Sequence, residues 1–177
     1  MWQHHHHRFG LAGEGQADLM ESYLERRRGR VLNVGCGPWP EKIKNLACHC
    51  DLLIVADKST ECARMVKGAA ANVIAIAADA RDLPLPGEAV DHVVALGLFA
   101  YISDTRDVLS EFKRVCRPGG YIMITNAVSR EPERFRLAGR QLGLEMLEDH
   151  QGYCPAASGT IKRRQLVVYG TKQDALA

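Results

Sequence analysis

The chain has 177 residues, of which 46% are hydrophobic and 25% charged, and its formal net charge at pH 7 is +2. This length fits a single domain, and the near balance of charge lacks the basic excess of a protein that binds nucleic acid through its phosphates. No apolar run reaches the roughly 20 residues of a membrane-spanning helix and the N-terminus lacks the apolar core of a signal peptide, so we expect a soluble, cytoplasmic protein without nucleic-acid or membrane partners.

Apolar runs alternate with amphipathic stretches along the chain, which is typical of α/β layering. The spacing of apolar residues predicts five helices, over residues 16–28, 41–48, 60–69, 104–115 and 131–142. Short apolar runs predict seven strands, over residues 31–34, 52–56, 73–77, 90–96, 121–125, 144–147 and 165–169. Because most of these strands are apolar throughout, we expect a doubly wound sheet that is buried on both faces. The elements form one predicted domain, residues 16–177, after an arm of residues 1–15.

Three successive predicted strands end in residues that suit a nucleoside ligand. The first ends at Gly35-Cys36-Gly37, where glycines let a ligand approach the backbone closely. The second ends at Asp57, whose carboxylate can accept both hydroxyls of a ribose. The third is followed by Asp79-Ala80, where a carboxylate can accept from an adenine amino group and a backbone N–H can donate to the ring. Each feature alone also suits a tight turn or a helix cap, but together they favour a nucleoside site.

The choice of nucleoside lies between a dinucleotide and S-adenosylmethionine. A dinucleotide needs a third glycine after the turn, so that the next helix can point its N-terminus at the pyrophosphate. Pro40 stands in that place. S-adenosylmethionine carries no phosphate, so a turn with two glycines suffices, and the sequence favours this ligand.

With these features in this order, the chain resembles the class I S-adenosylmethionine-dependent methyltransferases. The matching motifs occur in the family's order, at residues 31–38, Asp57, Asp79-Ala80, 83–86, 90–91, 99–104 and 109–120. The resemblance implies a mostly parallel, seven-stranded Rossmann-like sheet with helices on both faces and a C-terminal antiparallel hairpin. It implies S-adenosylmethionine as methyl donor and S-adenosylhomocysteine as product. It assigns the cofactor site to Asn33, Gly35, Cys36, Gly37, Asp57, Lys58, Asp79, Ala80 and Leu98.

Three residues depart from the family pattern. Asn33 stands where the first motif usually has an acidic residue, Trp39 replaces a common third glycine, and Tyr101 stands where many relatives have histidine. Two other functions therefore stay open. One is a non-catalytic relative that binds a partner protein, in which Trp39 fills the methionine pocket. The other is a nicotinamide-binding protein, against which Pro40 argues.

Methyl transfer from a sulfonium is an in-line displacement, for which the protein mainly aligns the acceptor with the methyl carbon. A base is needed only when the acceptor must lose a proton. Tyr101 is the candidate catalytic residue, with a packing aromatic as its alternative, and His150 and Asn126 are weaker candidates.

The predicted acceptor is a small molecule, because the chain has no separate substrate domain. Its pocket is expected to form from the N-terminal arm, which closes as a lid, from residues 99–105 and from a loop over residues 151–160.

Six cysteines are predicted to be free thiols, since the chain has no export signal. Cys48-His49-Cys50 lacks the two-residue spacing of a structural zinc site, so no metal is expected. A metalloid acceptor such as arsenite is a minor alternative, because soft thiolates bind soft ions. The sequence leaves the oligomeric state open.

Overall fold

A computed structural model describes residues 20, 23–127, 133–155 and 161–171 of the chain. Its seven strands are β1 (Arg30–Val34), β2 (Leu52–Asp57), β3 (Val73–Ala77), β4 (Val90–Leu96), β5 (Cys116–Ala127), β6 (Glu145–Pro155) and β7 (Ile161–Gly170). The helices are α1 (Pro40–Ala47), α2 (Thr60–Val66), α3 (Thr105–Val115) and α4 (Glu133–Gln141), with a 3-10 turn at Leu98–Ala100. Residues 20 and 23–26 are also helical, within the first predicted helix. The predicted arm, residues 1–15, lies outside the described residues.

The strands form one sheet in the order β3-β2-β1-β4-β5-β7-β6. Strands β1 to β5 pair in parallel, and β7 runs antiparallel between β5 and β6. The predicted fold class is therefore confirmed, including the C-terminal antiparallel hairpin. Parallel pairing requires crossover connections, and helices supply those between the first five strands.

Two hydrophobic clusters cover the two faces of the sheet, as the apolar strands predict. Alternate residues of one strand belong to different clusters: Leu32 of β1 packs in the cluster that contains Phe112 of α3. Its neighbour Val31 packs in the cluster that contains Ile43 and Leu46 of α1. Successive side chains of a strand point to opposite faces, so this division shows a sheet with helices on both sides.

Several predicted boundaries were wrong. Helix α2 ends at Val66 instead of residue 69, because Lys67 is extended and Gly68 has a φ of 78°. Strand β5 begins at Cys116, and the predicted turn at residues 118–120 is a bulge inside it, where pairing with β4 jumps from Cys116 to Tyr121. The predicted loop over residues 151–160 begins as strand, because residues 151–155 of β6 pair with residues 161–165 of β7.

A buried carboxylate fastens the amino end of the sheet, away from the carboxyl ends of the strands. Asp91 of β4 is 6% exposed. Its Oδ2 accepts from the backbone N–H of Arg30 at 2.6 Å, and its Oδ1 lies 2.8 Å from Nη1 of Arg117. These contacts join the start of β1 to the bulge of β5 across β4. The adjacent His92 is also buried, which lowers its pKa, and its Nε2 lies 2.7 Å from the carbonyl oxygen of Arg27.

Replacing Asp91 with alanine is expected to lower the free energy of unfolding by about 1–3 kcal/mol, because it leaves a buried N–H and an arginine without their acceptor. Chemical denaturation measures this loss. The matched control is Asp51→Ala, which removes a carboxylate 3.4 Å from Nε of Arg28 in a pair exposed on both sides. An exposed pair contributes about 0–1 kcal/mol. Equal losses in the two variants would contradict the anchoring role of Asp91.

Candidate functional site

A cleft of about 860 Å³ opens at the carboxyl edge of the sheet, beyond β1, β2 and β4. Strand β1 lies between β2 and β4, so the connections that follow β1 and β4 diverge here. The structure brings all ten predicted site residues together in the lining of this cleft, namely Asn33, Gly35, Cys36, Gly37, Asp57, Lys58, Asp79, Ala80, Leu98 and Tyr101.

The turn after β1 depends on its two glycines. Gly35 has a φ of 75° and Gly37 a φ of 60°, a region that side chains disfavour. The N–H of Gly35 donates to the carbonyl oxygen of Ala56 at 2.8 Å, which holds the turn against the end of β2. A Cβ on Gly35 would lie 2.8 Å from Cδ1 of Leu98. The turn therefore needs glycine both for its conformation and for the close approach of Leu98.

Asp57 connects the glycine turn to the start of α2. Its Oδ2 accepts from the N–H of Gly37 and its Oδ1 from the N–H of Ser59, each at 2.9 Å. Ser59 in turn caps α2, because its hydroxyl accepts from the N–H of Cys62 at 3.2 Å. A carboxylate has about four acceptor sites, so each oxygen of Asp57 keeps capacity for a hydroxyl of a ligand.

Asp79 lies in a cluster of cations that the sequence reasoning did not predict. Nε of Arg81 donates to Oδ1 at 2.9 Å and Nη2 donates to Oδ2 at 2.7 Å, while Nζ of Lys58 lies 3.3 Å from Oδ2. These contacts hold the pKa of Asp79 well below its ordinary value, with the Arg81 hydrogen bond as the largest cause. The sequence did contain a signal for this cluster, because Asp79 and Arg81 stand two residues apart just after β3.

The indole of Trp39 forms part of the cleft wall. A Cβ on Gly37 would lie 2.9 Å from Cδ1 and 3.0 Å from Nε1 of Trp39, so the edge of the ring faces the glycine turn. Trp39 is 55% exposed, and the ammonium of Lys42 lies 4.7 Å from the centroid of its ring. Below it, Asn33 is 2% exposed, and its Oδ1 accepts no hydrogen bond within the described part of the chain.

Tyr101 also lines the cleft, directly after the 3-10 turn that follows β4. Its side chain is 91% exposed. Its hydroxyl is therefore free to meet a ligand. The side chains of the weaker candidates, Asn126 and His150, lie outside the described part of the structure.

The cysteines do not form a metal site in the described residues. No group of three or more histidine, cysteine or acidic side chains is placed there to hold an ion. Cys48 is exposed, whereas Cys50 is buried and its thiol donates to the carbonyl oxygen of Leu46 at 3.2 Å. Burial also raises the pKa of Cys36 to about 12, so its thiol lines the cleft as a neutral group.

Two comparisons with known proteins, one with family models and one with individual relatives, both identify a methyltransferase family. The family of methyltransferase domains matches residues 32–124. A phosphatidylethanolamine N-methyltransferase from Cereibacter sphaeroides is 30% identical over 161 residues, which cover 86% of this chain and 76% of that protein. A match over more than half of the chain and a relative at this level of identity identify the family.

Solved structures show the same fold at low sequence identity. A SAM-dependent methyltransferase from Aquifex aeolicus superimposes with a TM-score of 0.69 at 17% identity, covering 86% of this chain and 88% of that one. The 1,6-didemethyltoxoflavin-N1-methyltransferase of Burkholderia thailandensis, with 1,6-didemethyltoxoflavin and S-adenosylhomocysteine bound, gives 0.70 at 13% identity, covering 90% and 77%. At these identities the likeness concerns the fold.

Replacing Gly35 with alanine is expected to destabilise the protein more than the same change at Gly68. Both glycines have a positive φ, but a Cβ at Gly68 would meet no atom within 4 Å, whereas one at Gly35 would press on Leu98. The conformational cost common to both is about 1–2 kcal/mol, so the excess for Gly35→Ala measures the close contact. Thermal and chemical denaturation compare the two variants; equal losses would mean that Leu98 moves aside freely.

Proposed function

The chain belongs to the class I S-adenosylmethionine-dependent methyltransferase family, and we propose that this methyltransferase acts on the amino group of a small molecule or of a lipid head group, with phosphatidylethanolamine as the first acceptor to test. The observation that carries the acceptor class is the relative from Cereibacter sphaeroides, which matches 86% of this chain and is named for methylation of that lipid. The alternatives of a non-catalytic or nicotinamide-binding protein are set aside by the family.

The residues of the cleft fit S-adenosylmethionine by their chemistry. The glycine turn leaves no side chain between backbone and ligand, and Asp57 keeps acceptor sites for the ribose hydroxyls. Asp79 and Ala80 line the proposed adenine end, where Lys58 contacts Asp79, while Asn33, Gly35, Cys36 and Leu98 line the end nearest β1 and β4. The buried Oδ1 of Asn33 is an acceptor that lacks a donor, which a bound ligand would supply.

When bound, S-adenosylmethionine supplies an activated methyl group on its sulfonium. The chain's own task is to hold the acceptor in line with this group and to exclude water. Gly35 and Leu98 both line the cleft and approach each other so closely that a Cβ on Gly35 would lie 2.8 Å from Cδ1 of Leu98. Trp39 and the exposed Tyr101 both line this cleft, and we propose that the acceptor binds beside these side chains.

Two features of the cleft mouth suit an amine. Aromatic ring faces attract ammonium groups, and the aromatic side chains of Trp39 and Tyr101 both line the cleft. An ammonium group must lose a proton to solvent before methylation, because only the electron pair of the neutral amine attacks the methyl carbon. We propose Tyr101 as the catalytic residue, whose exposed hydroxyl accepts a hydrogen bond from the neutral amine and orients its electron pair.

The division of the chain also remains a proposal. We infer a single catalytic domain over residues 16–177, preceded by an arm, residues 1–15, which is outside the described residues. None of the helices in the described residues is long and apolar enough to cross a bilayer.

Titration of S-adenosylhomocysteine into the protein by calorimetry tests the cofactor site. We expect binding with a dissociation constant in the micromolar range, and a loss of at least about tenfold in Asp57→Ala, because that variant removes two charge-assisted acceptors and the brace on Gly37. Asp51→Ala is the control, since Asp51 precedes β2 at the opposite end from the cleft. Tighter binding of NAD than of S-adenosylhomocysteine would contradict the proposed ligand.

Incubation with labelled S-adenosylmethionine and vesicles tests the acceptor. We expect label in phosphatidylethanolamine and none in phosphatidylcholine, whose nitrogen is already fully methylated. Tyr101→Phe should lower kcat by about tenfold, because it removes one hydrogen bond that orients the amine, with unchanged affinity for S-adenosylhomocysteine. Transfer to soluble amines but not to the lipid would refute the lipid acceptor, and an unchanged kcat would refute the catalytic role of Tyr101.

A further inference from the structure

The part of the cleft wall that carries Tyr101 is a short segment, residues 97–104, between β4 and α3. It begins at Gly97, which has a φ of 79° and whose N–H donates to the carbonyl oxygen of Thr125 at 2.8 Å. A 3-10 turn follows, in which the N–H of Tyr101 donates to the carbonyl oxygen of Leu98 at 3.0 Å. Because the Tyr101 side chain is 91% exposed, packing does little to fix its direction. The backbone of the segment therefore sets where the hydroxyl points.

Phe99 packs the back of this segment against two helices. Its side chain is 1% exposed, and it is the one residue of the segment that does not line the cleft. Its ring centroid lies 6.1 Å from that of Phe112 in α3 and 5.2 Å from that of Phe135 in α4, with both pairs edge to face. Aromatic pairs in this arrangement attract each other. The segment is thus held from behind at one point, two residues before Tyr101.

Arg134, in the first turn of α4, holds the backbone of the segment at two further points. Its Nη2 donates to the carbonyl oxygen of Phe99 at 2.6 Å, and its Nη1 donates to the carbonyl oxygen of Ile102 at 3.4 Å. The same guanidinium lies 5.0 Å from the ring centroid of Phe135. Arginine presents its donors in a rigid planar fork, so one side chain binds carbonyls that stand before and after Tyr101. Arg134 is half-buried and is not among the described residues that line the cleft.

We propose that Arg134 is a positioning residue for methyl transfer, which holds the backbone on both sides of Tyr101 so that the exposed hydroxyl meets the acceptor in a fixed direction. This role rests on the proposed function, because Arg134 acts through Tyr101 and does not touch the ligand. Small displacements of a catalytic group can lower a rate by up to about 100-fold. Since Arg134 acts only through the hydroxyl, its loss should lower kcat by no more than the loss of the hydroxyl itself.

Turnover of labelled S-adenosylmethionine on phosphatidylethanolamine vesicles tests this role. Arg134→Met removes both hydrogen bonds and keeps an unbranched side chain; we expect kcat to fall by about tenfold and the affinity for S-adenosylhomocysteine to change by less than about twofold. The matched control is Arg136→Met in the same helix, because the Arg136 guanidinium instead contacts Glu133 and Asp149, each at 2.6 Å. This control loses two ion pairs and should keep its kcat. An equal loss of kcat in both variants would overturn the proposal.

Two further variants test whether Arg134 acts through its fork and through Tyr101. Arg134→Lys keeps the charge but replaces the fork by a single ammonium, so its kcat should lie between those of the wild type and Arg134→Met; a wild-type kcat would overturn the proposal. In the Tyr101→Phe background the hydroxyl is already absent, so adding Arg134→Met should lower kcat by no more than about a further twofold. Losses that multiply to about 100-fold would mean that the two residues act independently, which also overturns it.

Hydrogen exchange gives a measurement that needs no turnover. If Arg134 holds the segment, Arg134→Met should speed exchange of the Ala100 and Tyr101 amides, which close the 3-10 turn, whereas Arg136→Met should leave them at the wild-type rate. Wild-type exchange in Arg134→Met would overturn this role alone. If the wild-type protein methylates no vesicle lipid, the proposed acceptor fails and the exchange rates still decide whether Arg134 holds the segment. If Tyr101→Phe keeps its kcat, the catalytic role of Tyr101 fails, and the role of Arg134 in the reaction fails with it.

Discussion

The position of β1 between β2 and β4 is the constraint on which the rest of the site depends. The connection after β1 leads through α1 to β2, and the connection after β4 leads through α3 to β5, on the other side of the sheet. Two connections that leave in opposite directions cannot cover the strand ends between them, so a cleft opens there. The contact between Gly35 and Leu98 then sets how closely the two connections approach each other at its floor.

Asp57 fixes the positions of the two turns that border this cleft. Its two backbone hydrogen bonds, to Gly37 and Ser59, tie the turn after β1 to the turn after β2. The same carboxylate is the proposed acceptor for ribose hydroxyls. One side chain therefore shapes the pocket and faces the ligand, which is why its role in binding has to be separated from its role in folding by a stability measurement on the same variant.

Sequence reasoning predicted which residues line the cleft better than it predicted the boundaries of the elements. Residues such as Gly35, Asp57 and Asp79 follow predicted parallel strands, and the carboxyl ends of parallel strands meet at one edge even when a boundary is wrong by several residues. The end of β6 was missed because the polar residues 148–152 show no apolar alternation, and it is the pairing with β7 that extends them. The bulge at residues 118–120 was predicted as a turn, because its sequence of one proline and two glycines occurs both in turns and in bulges.

Contacts between side chains of distant elements could not be predicted from the sequence. Nothing in the spacing of Arg30, Asp91 and Arg117 indicates that one carboxylate serves both arginine positions at the amino end of the sheet. The packing of Trp39 on Gly37 depends likewise on the path of the turn, which is set by the hydrogen bond between Gly37 and Asp57. Such contacts need the fold first, because they join residues that the sheet brings together.

The cluster around Asp79 shows what cofactor binding has to change. A carboxylate has about four acceptor sites, and Asp79 uses them on the backbone N–H, Nε and Nη2 of Arg81 and on Nζ of Lys58. An adenine amino group that binds Asp79 must therefore displace one donor. The contact with Lys58 is the longest, at 3.3 Å, and the Lys58 side chain is 77% exposed. An exposed pair of this kind contributes about 1 kcal/mol at most, so Lys58 is the donor that exchanges at least cost, while Arg81 keeps the carboxylate ionised and oriented toward the cleft.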